Sequence, residues 1–288
     1  MISKKHLTLA AASAAVLATP VIAGHSWSNY HWERTTNEIS PPVVDFTTGE
    51  WAQSNRVQQA VNDWNRSAYI NSDYVRGQGN NTACPIVAGE IHVCNDDYGN
   101  TGWVGIASIS ATRGRTTHII GGVSKMNDYF YAMPYYDNDI WRQLVMCQEI
   151  GHDYGLGHQN ENFNSHETDS CMEYTSTPDA ADKTLNQHDL DQLASIYAHS
   201  HGGGDGGGGS GNGGGKGKPK KFDVGNRPAD WGTPIGRDAQ GRANLFKRSE
   251  ASFDVITHVT WAIGEGPDGD HDHGEHEGPR QHSGDRRF

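Results

Sequence analysis

One stretch near the middle of the chain constrains it more than any other: Gln148-Glu149-Ile150-Gly151-His152-Asp153-Tyr154-Gly155-Leu156-Gly157-His158. The pattern predicts a helix that begins near Asn138 or Asp139, runs through His152 and stops where Gly155 and Gly157 interrupt it. Residues four apart share a helix face, so Gln148 and His152 point the same way with Glu149 beside them. Gly155 lets the chain turn sharply, which returns His158 to that face from outside the helix.

Two such side chains bind zinc in the HExxH arrangement, and the intervening glutamate acts on the bound water. Three protein ligands with an open fourth position describe a catalytic zinc, whereas a fourth protein ligand would close a structural one. Glu149, His152, Gly155 and His158 match the long HExxHxxGxxH motif at every fixed position but the first. Downstream, Cys171-Met172-Glu173-Tyr174 looks like a Met-turn.

On these residues the chain resembles the metzincin zinc metallopeptidases (matrixin-, astacin- and serralysin-like secreted bacterial proteins), with Gln148 in place of the first zinc-ligand histidine. The resemblance covers residues 24–201 in layout, with its diagnostic residues between Gln148 and Tyr174. It implies Glu149 as general base, His152 and His158 as metal ligands and Met172 as the floor beneath the metal. Tyr174 matches the tyrosine that stabilises the oxyanion in some members; a packed core tyrosine is its plainer reading. Two readings of Gln148 compete. Its amide oxygen either binds zinc, as a weaker donor than imidazole, or the metal is lost and the protein is a non-catalytic relative. Retention of Glu149, His152, His158 and Met172 favours the first.

Four cysteines allow three pairings. Cys84–Cys94 with Cys147–Cys171 is expected, because a bridge from Cys147, off the metal face, to Cys171 would tie the helix to the Met-turn. Cys84–Cys94 would staple a loop to the strand around His92.

The expected fold class is α+β: a metzincin-like zincin domain with a mixed, mostly parallel twisted sheet, an active-site helix and a C-terminal helix. The spacing predicts a helix over Glu50–Ala68, started by a capping box of Thr47 and Glu50. Strand-like runs follow at Ile91–Asn95, Trp103–Ile109 and His118–Lys125, and a third helix follows Asn186. Either of the last two strands is a candidate upper edge of a cleft that binds peptide by strand addition.

Around this domain, residues 1–23 read as a secretory signal peptide and 202–221 as a Gly-rich linker. Residues 222–263 form a small segment of open role, and 264–288 a disordered His/Asp/Gly-rich tail. A net charge of −12 argues against nucleic-acid and anionic-membrane partners. The expected product is a secreted, monomeric zinc endopeptidase acting on protein or peptide. The alternatives are a pseudoprotease that binds peptide or metal and a protein of the cell wall or matrix. Asp96 and Asp97 beside Gly99 and Asn100 fit a calcium (Ca2+) loop or a simple turn. His166, His92 and His118 read as structural or surface residues. The tail's His271, His273, His276 and His282 read as solvated, or as a weak chelator of divalent metals.

Overall fold

The computed structural model describes residues 25–79, 82–114, 117–163, 168–201 and 221–267. The signal peptide expected at 1–23, the glycine stretch 202–220, the tail beyond 267 and His166 lie outside the described residues. Among the described residues no helix is long and apolar enough to cross a membrane.

Short strands β1 (His31–Trp32) and β2 (Val43–Asp45) precede helices α1 (Gly49–Gln53) and α2 (Arg56–Trp64). Strands β3 (Tyr74–Arg76), β4 (Ile86–Val87), β5 (Ile91–Asp96), β6 (Trp103–Thr112) and β7 (His118–Asn127) follow, then α3 (Asp128–Tyr131), α4 (Asp139–Asp153) and α5 (Gln187–Tyr197). The C-terminal segment adds β8 (Lys221–Phe222), α6 (Pro228–Trp231), β9 (Thr233–Arg237), β10 (Ala243–Ser249) and β11 (Phe253–Trp261).

The three strands and the second and third helices expected from sequence form close to where the pattern puts them. Asn138 caps α4 by accepting from the Trp141 N–H, and Asn186 caps α5 within a capping box closed by Asp189. The first helix differs. It breaks into α1 and α2 at Asn55, which sits at φ 52° in the left-handed region that asparagine tolerates. The Thr47–Glu50 capping box does not form. Thr48 is the N-cap and makes no side-chain cap bond, Thr47 donates to Asp45 Oδ1 at 2.6 Å, and Glu50 holds Arg56 and Ser54.

The main sheet runs β3-β2-β5-β7-β6-β11-β10-β9, with β1 also on β7. Its first half is parallel (β3, β2, β5, β7 and β1), and from β6 outward every pairing is antiparallel. The C-terminal segment is therefore part of the sheet. β11 lies along β6 from Phe253 opposite Thr112 to Trp261 opposite Trp103.

Alternation along β11 divides two cores. Ile256 joins the core beneath α4, with Val104, Ala107, Val145, Ile150 and Met172. Val255, Val259 and Trp261 face the other side, with Trp103, Trp231 and Phe246. Both expected disulfides are formed: Cys84–Cys94 and Cys147–Cys171, with Cα separations of 6.2 and 5.9 Å.

Lys125 of β7 is buried in this second face. Its ammonium donates to Asn226 Oδ1 at 3.0 Å and lies over the Tyr98 ring at 5.7 Å. Desolvation pushes its pKa down to about 8. An unfolded lysine titrates near ~10.4, so across that interval the unfolded chain binds the extra proton and stability rises with pH. Unfolding free energy of the parent relative to Lys125→Met is expected to climb between pH 8 and 10, by at most about 3 kcal/mol. Parallel urea titrations of the two proteins check this; a difference that stays flat across the interval would contradict it.

Candidate metal centre

The α4 helix is buried along its length from Trp141 to Asp153, which is why the polar residues of its motif need partners inside the protein. Gly151 makes room on one side: a Cβ there would stand 2.5 Å from Trp64 Cζ2 and 2.6 Å from Met172 Sδ. The floor under α4 is thus Met172, tethered through the Cys147–Cys171 bridge. Gly155, at φ +92°, turns the chain off the helix against the Tyr30 carbonyl and returns His158 toward His152.

His152 Nδ1 donates to the Leu156 carbonyl at 2.7 Å. That bond leaves Nε2 bare, and it faces His158 Nε2 at 3.2 Å. His158 is held from behind by Glu161, 3.5 Å from its Nδ1. A third imidazole completes the group. His258 of β11 places its ring 4.2 Å from that of His152 and 4.5 Å from that of His158. One nitrogen from each of the three lies within 4.8 Å of the others. His258 Nδ1 is buried without a hydrogen-bond partner. Burial, and then the neighbouring rings, hold His152 and His258 well below the ordinary imidazole range. Neutral rings with converging lone pairs are the form that binds a metal, so the donor set suits zinc.

Gln148 points elsewhere. Its Nε2 donates to the carbonyls of Cys171 at 2.9 Å and Glu173 at 3.3 Å, and its Oε1 accepts from Thr260 Oγ1 at 3.0 Å. The amide therefore clamps the Cys171–Glu173 segment to β11. The same Thr260 hydroxyl lies 2.6 Å from Glu149 Oε1, so its one proton is shared between the two acceptors, while Glu149 Oε2 is buried without a partner. Burial pushes the Glu149 carboxyl well up, with the Thr260 bond opposing it. Gly105 of β6 gives that carboxylate its space, since a Cβ there would stand 2.5 Å from Oε1.

Tyr174 is fully buried. Its ring lies 4.0 Å from His158, and its hydroxyl stands 3.3 Å from His258 Nε2 and 3.3 Å from Asn244 Nδ2. Trp27 stacks on His152 at 5.0 Å. A cavity of about 270 Å³ opens beside the group, lined by His158, His258, Glu161, Asn244 and His25.

One sequence expectation is overturned here, and two are sharpened. Neither β6 nor β7 has a free edge for strand addition, because β6 is paired by β7 and β11, and β7 by β5 and β6. His118 does not stand alone; it meets other histidines away from α4. The Asp96–Asn100 stretch gives calcium no support: Asp96 and Asp97 accept the backbone N–H groups of Asp97 and Gly99, which closes a turn. His258 and Thr260 were missed. The one available signal was that His258 and Thr260 stand two apart, hence on one face, in the strand-like run Val255–Trp261.

No family model matches the chain, and no curated protein matches it. Among solved structures it is similar to myroilysin, at 13% identity over 62% of this chain and 100% of that one, with a TM-score of 0.35. It is also similar to high choriolytic enzyme 1, a hatching-enzyme zinc-protease from the medaka fish Oryzias latipes. That match has 12% identity over 58% of this chain and 94% of that one, with a TM-score of 0.32. Likeness at this level carries no argument about the site, which rests on its own geometry.

Gly155→Ala is expected to cost about 1–3 kcal/mol, because alanine is strained at positive φ and its Cβ meets a fixed carbonyl. Gly89→Ala, also at positive φ but in open space, is the control for strain alone. Equal losses for the two in urea unfolding would show that the Tyr30 carbonyl does not fix the turn.

Proposed function

We propose that the chain is a secreted zinc-dependent endopeptidase whose metal is held by His152, His158 and a nitrogen of His258, with Gln148 as a buried clamp. The convergence of three imidazoles, on a helix that also carries the unpartnered Glu149 oxygen, carries this reading. The zinc, when bound, supplies Lewis acidity toward a peptide carbonyl and toward the attacking water. Glu149, its carboxyl pushed up by burial, is the group that would take a proton from water and return it to the leaving amine. Tyr174 keeps its hydroxyl protonated, because burial pushes its pKa well up, and so offers a donor beside His258. Glu161 orients His158 from behind, as outer partners of ligating imidazoles do.

A second reading is a metal-binding module without turnover. It is favoured by β11, which fills the β6 edge, and by Glu149, which lies against Gly105 and Thr260 and outside the lining of the cavity. Replacing Glu149 separates the two. Glu149→Gln is expected to retain zinc and to lower cleavage of a mixed peptide library about 10²–10⁴-fold; no cleavage by the zinc-loaded parent would leave the binding module.

The ligand set is tested by zinc affinity. His258→Asn is expected to weaken zinc by more than the about 10–100-fold that loss of an outer-shell partner costs, while Gln148→Ala changes it little. The reverse order, measured by chelator competition, would return Gln148 to the metal.

A further inference from the structure

We infer that the chain carries a second, structural site for a divalent transition metal, formed by His31, His118 and His201 with His199 beside His31. It shares no residue with the group on α4. His31 on β1 pairs directly with His118 on β7 in the parallel ladder, and the other two follow the end of α5. Four imidazoles from three separate stretches of chain thus meet at one corner of the sheet.

The contacts run through the same atom of each ring. Nε2 of His201 stands 3.1 Å from that of His118 and 3.4 Å from that of His31, and Nε2 of His199 lies 3.2 Å from that of His31. Nitrogens bound to zinc at about 2.0–2.1 Å in a tetrahedron are separated by roughly 3.3–3.4 Å. These three spacings fall close to that edge length, and His31, His118 and His201 bring one nitrogen each within 4.8 Å of one another. His31 Nδ1 donates to the Asn29 carbonyl at 2.6 Å, so its Nε2 presents a lone pair to the others; this is the usual outer bond of a ligating histidine.

The scaffold is fixed independently of any ion. Arg34 donates to the carbonyls of Ala198 and His199, and its own carbonyl accepts from the His201 N–H at 2.9 Å. One contact opposes the site: His201 Nδ1 accepts from the Arg34 N–H at 3.3 Å. Metal at Nε2 places the ring proton on Nδ1, so that long bond is given up. The competing arrangement is a metal-free cluster in which His201 Nε2–H donates to its neighbours.

An all-imidazole set selects zinc, copper or nickel over magnesium and calcium. His31, His118 and His201 supply three imidazoles, and His199, 3.2 Å from His31, is the group that would close the fourth position of a structural site. It would staple β1 and the segment after α5 to the start of β7.

Zinc content of the purified full-length protein tests this, in a background where His271, His273, His276 and His282 are replaced by Asn to remove the tail's own affinity. The parent is expected to hold two zinc ions per chain, and His118→Gln/His199→Gln one. His152→Asn/His158→Asn also retains one, now at the corner. A parent with one ion that the His118/His199 variant loses supports the corner site while sinking the α4 centre. A His118/His199 variant with the parent's full zinc content overturns the corner site. If that variant does not fold, His199→Gln alone, at an exposed position, is expected to release the corner zinc at a tenfold or more lower chelator concentration; unchanged release has the same overturning force.

Discussion

Strand β11 is laid antiparallel on β6 with its even-numbered residues turned toward α4, and the chemistry available to α4 depends on that pairing. His258 and Thr260 reach the helix two residues apart, His258 toward the two helix-side imidazoles and Thr260 between Gln148 and Glu149. A slip of one residue in register would turn both away and bring Val259 and Trp261 onto the site instead. The register is secured from the opposite face, where Val255, Val259 and Trp261 pack with Trp231, Phe246 and Trp103. Burial of several large aromatics, at about 25 cal/mol per Å² of apolar surface, outweighs any single polar contact on the helix side.

The same pairing explains how a glutamine stands in a position that otherwise suits a metal ligand. Three hydrogen bonds hold the Gln148 amide, two to carbonyls of the Met-turn and one from Thr260. Turning its oxygen toward a metal would strand those buried groups, at about 1–3 kcal/mol for each one left unsatisfied. His258 faces no such conflict, because its Nδ1 has no partner to lose. The balance favours imidazole as the metal ligand of the proposed site and amide in the scaffold. β11 also occupies the β6 edge, which leaves the cavity beside His158 and His258 as the open approach to this group.

Much of the framework was legible in the sequence because its signals are local. The α4 motif, the Gly155 turn, the caps at Asn138 and Asn186 and the three central strands each depend on residues a few positions apart. The two disulfides followed once the helix and the Met-turn were placed. The Glu50–Ala68 helix failed at a single backbone choice, Asn55 in the left-handed region, which apolar spacing does not encode. His258 was beyond reach for a different reason. It lies 100 residues after His158, across the glycine-rich stretch, and only long-range strand pairing brings it to the helix. The corner histidines follow the same rule, with His31 and His201 joined by topology.

The central claim is that His258, rather than Gln148, completes the metal site. A crystal structure of the zinc-loaded chain, with anomalous scattering recorded at the zinc edge, tests it most directly. The expected result is a peak bonded at about 2.0–2.1 Å to nitrogens of His152, His158 and His258, with the Gln148 amide still on Cys171 and Glu173. A peak bonded to Gln148 Oε1, with the His258 ring turned away, would contradict it.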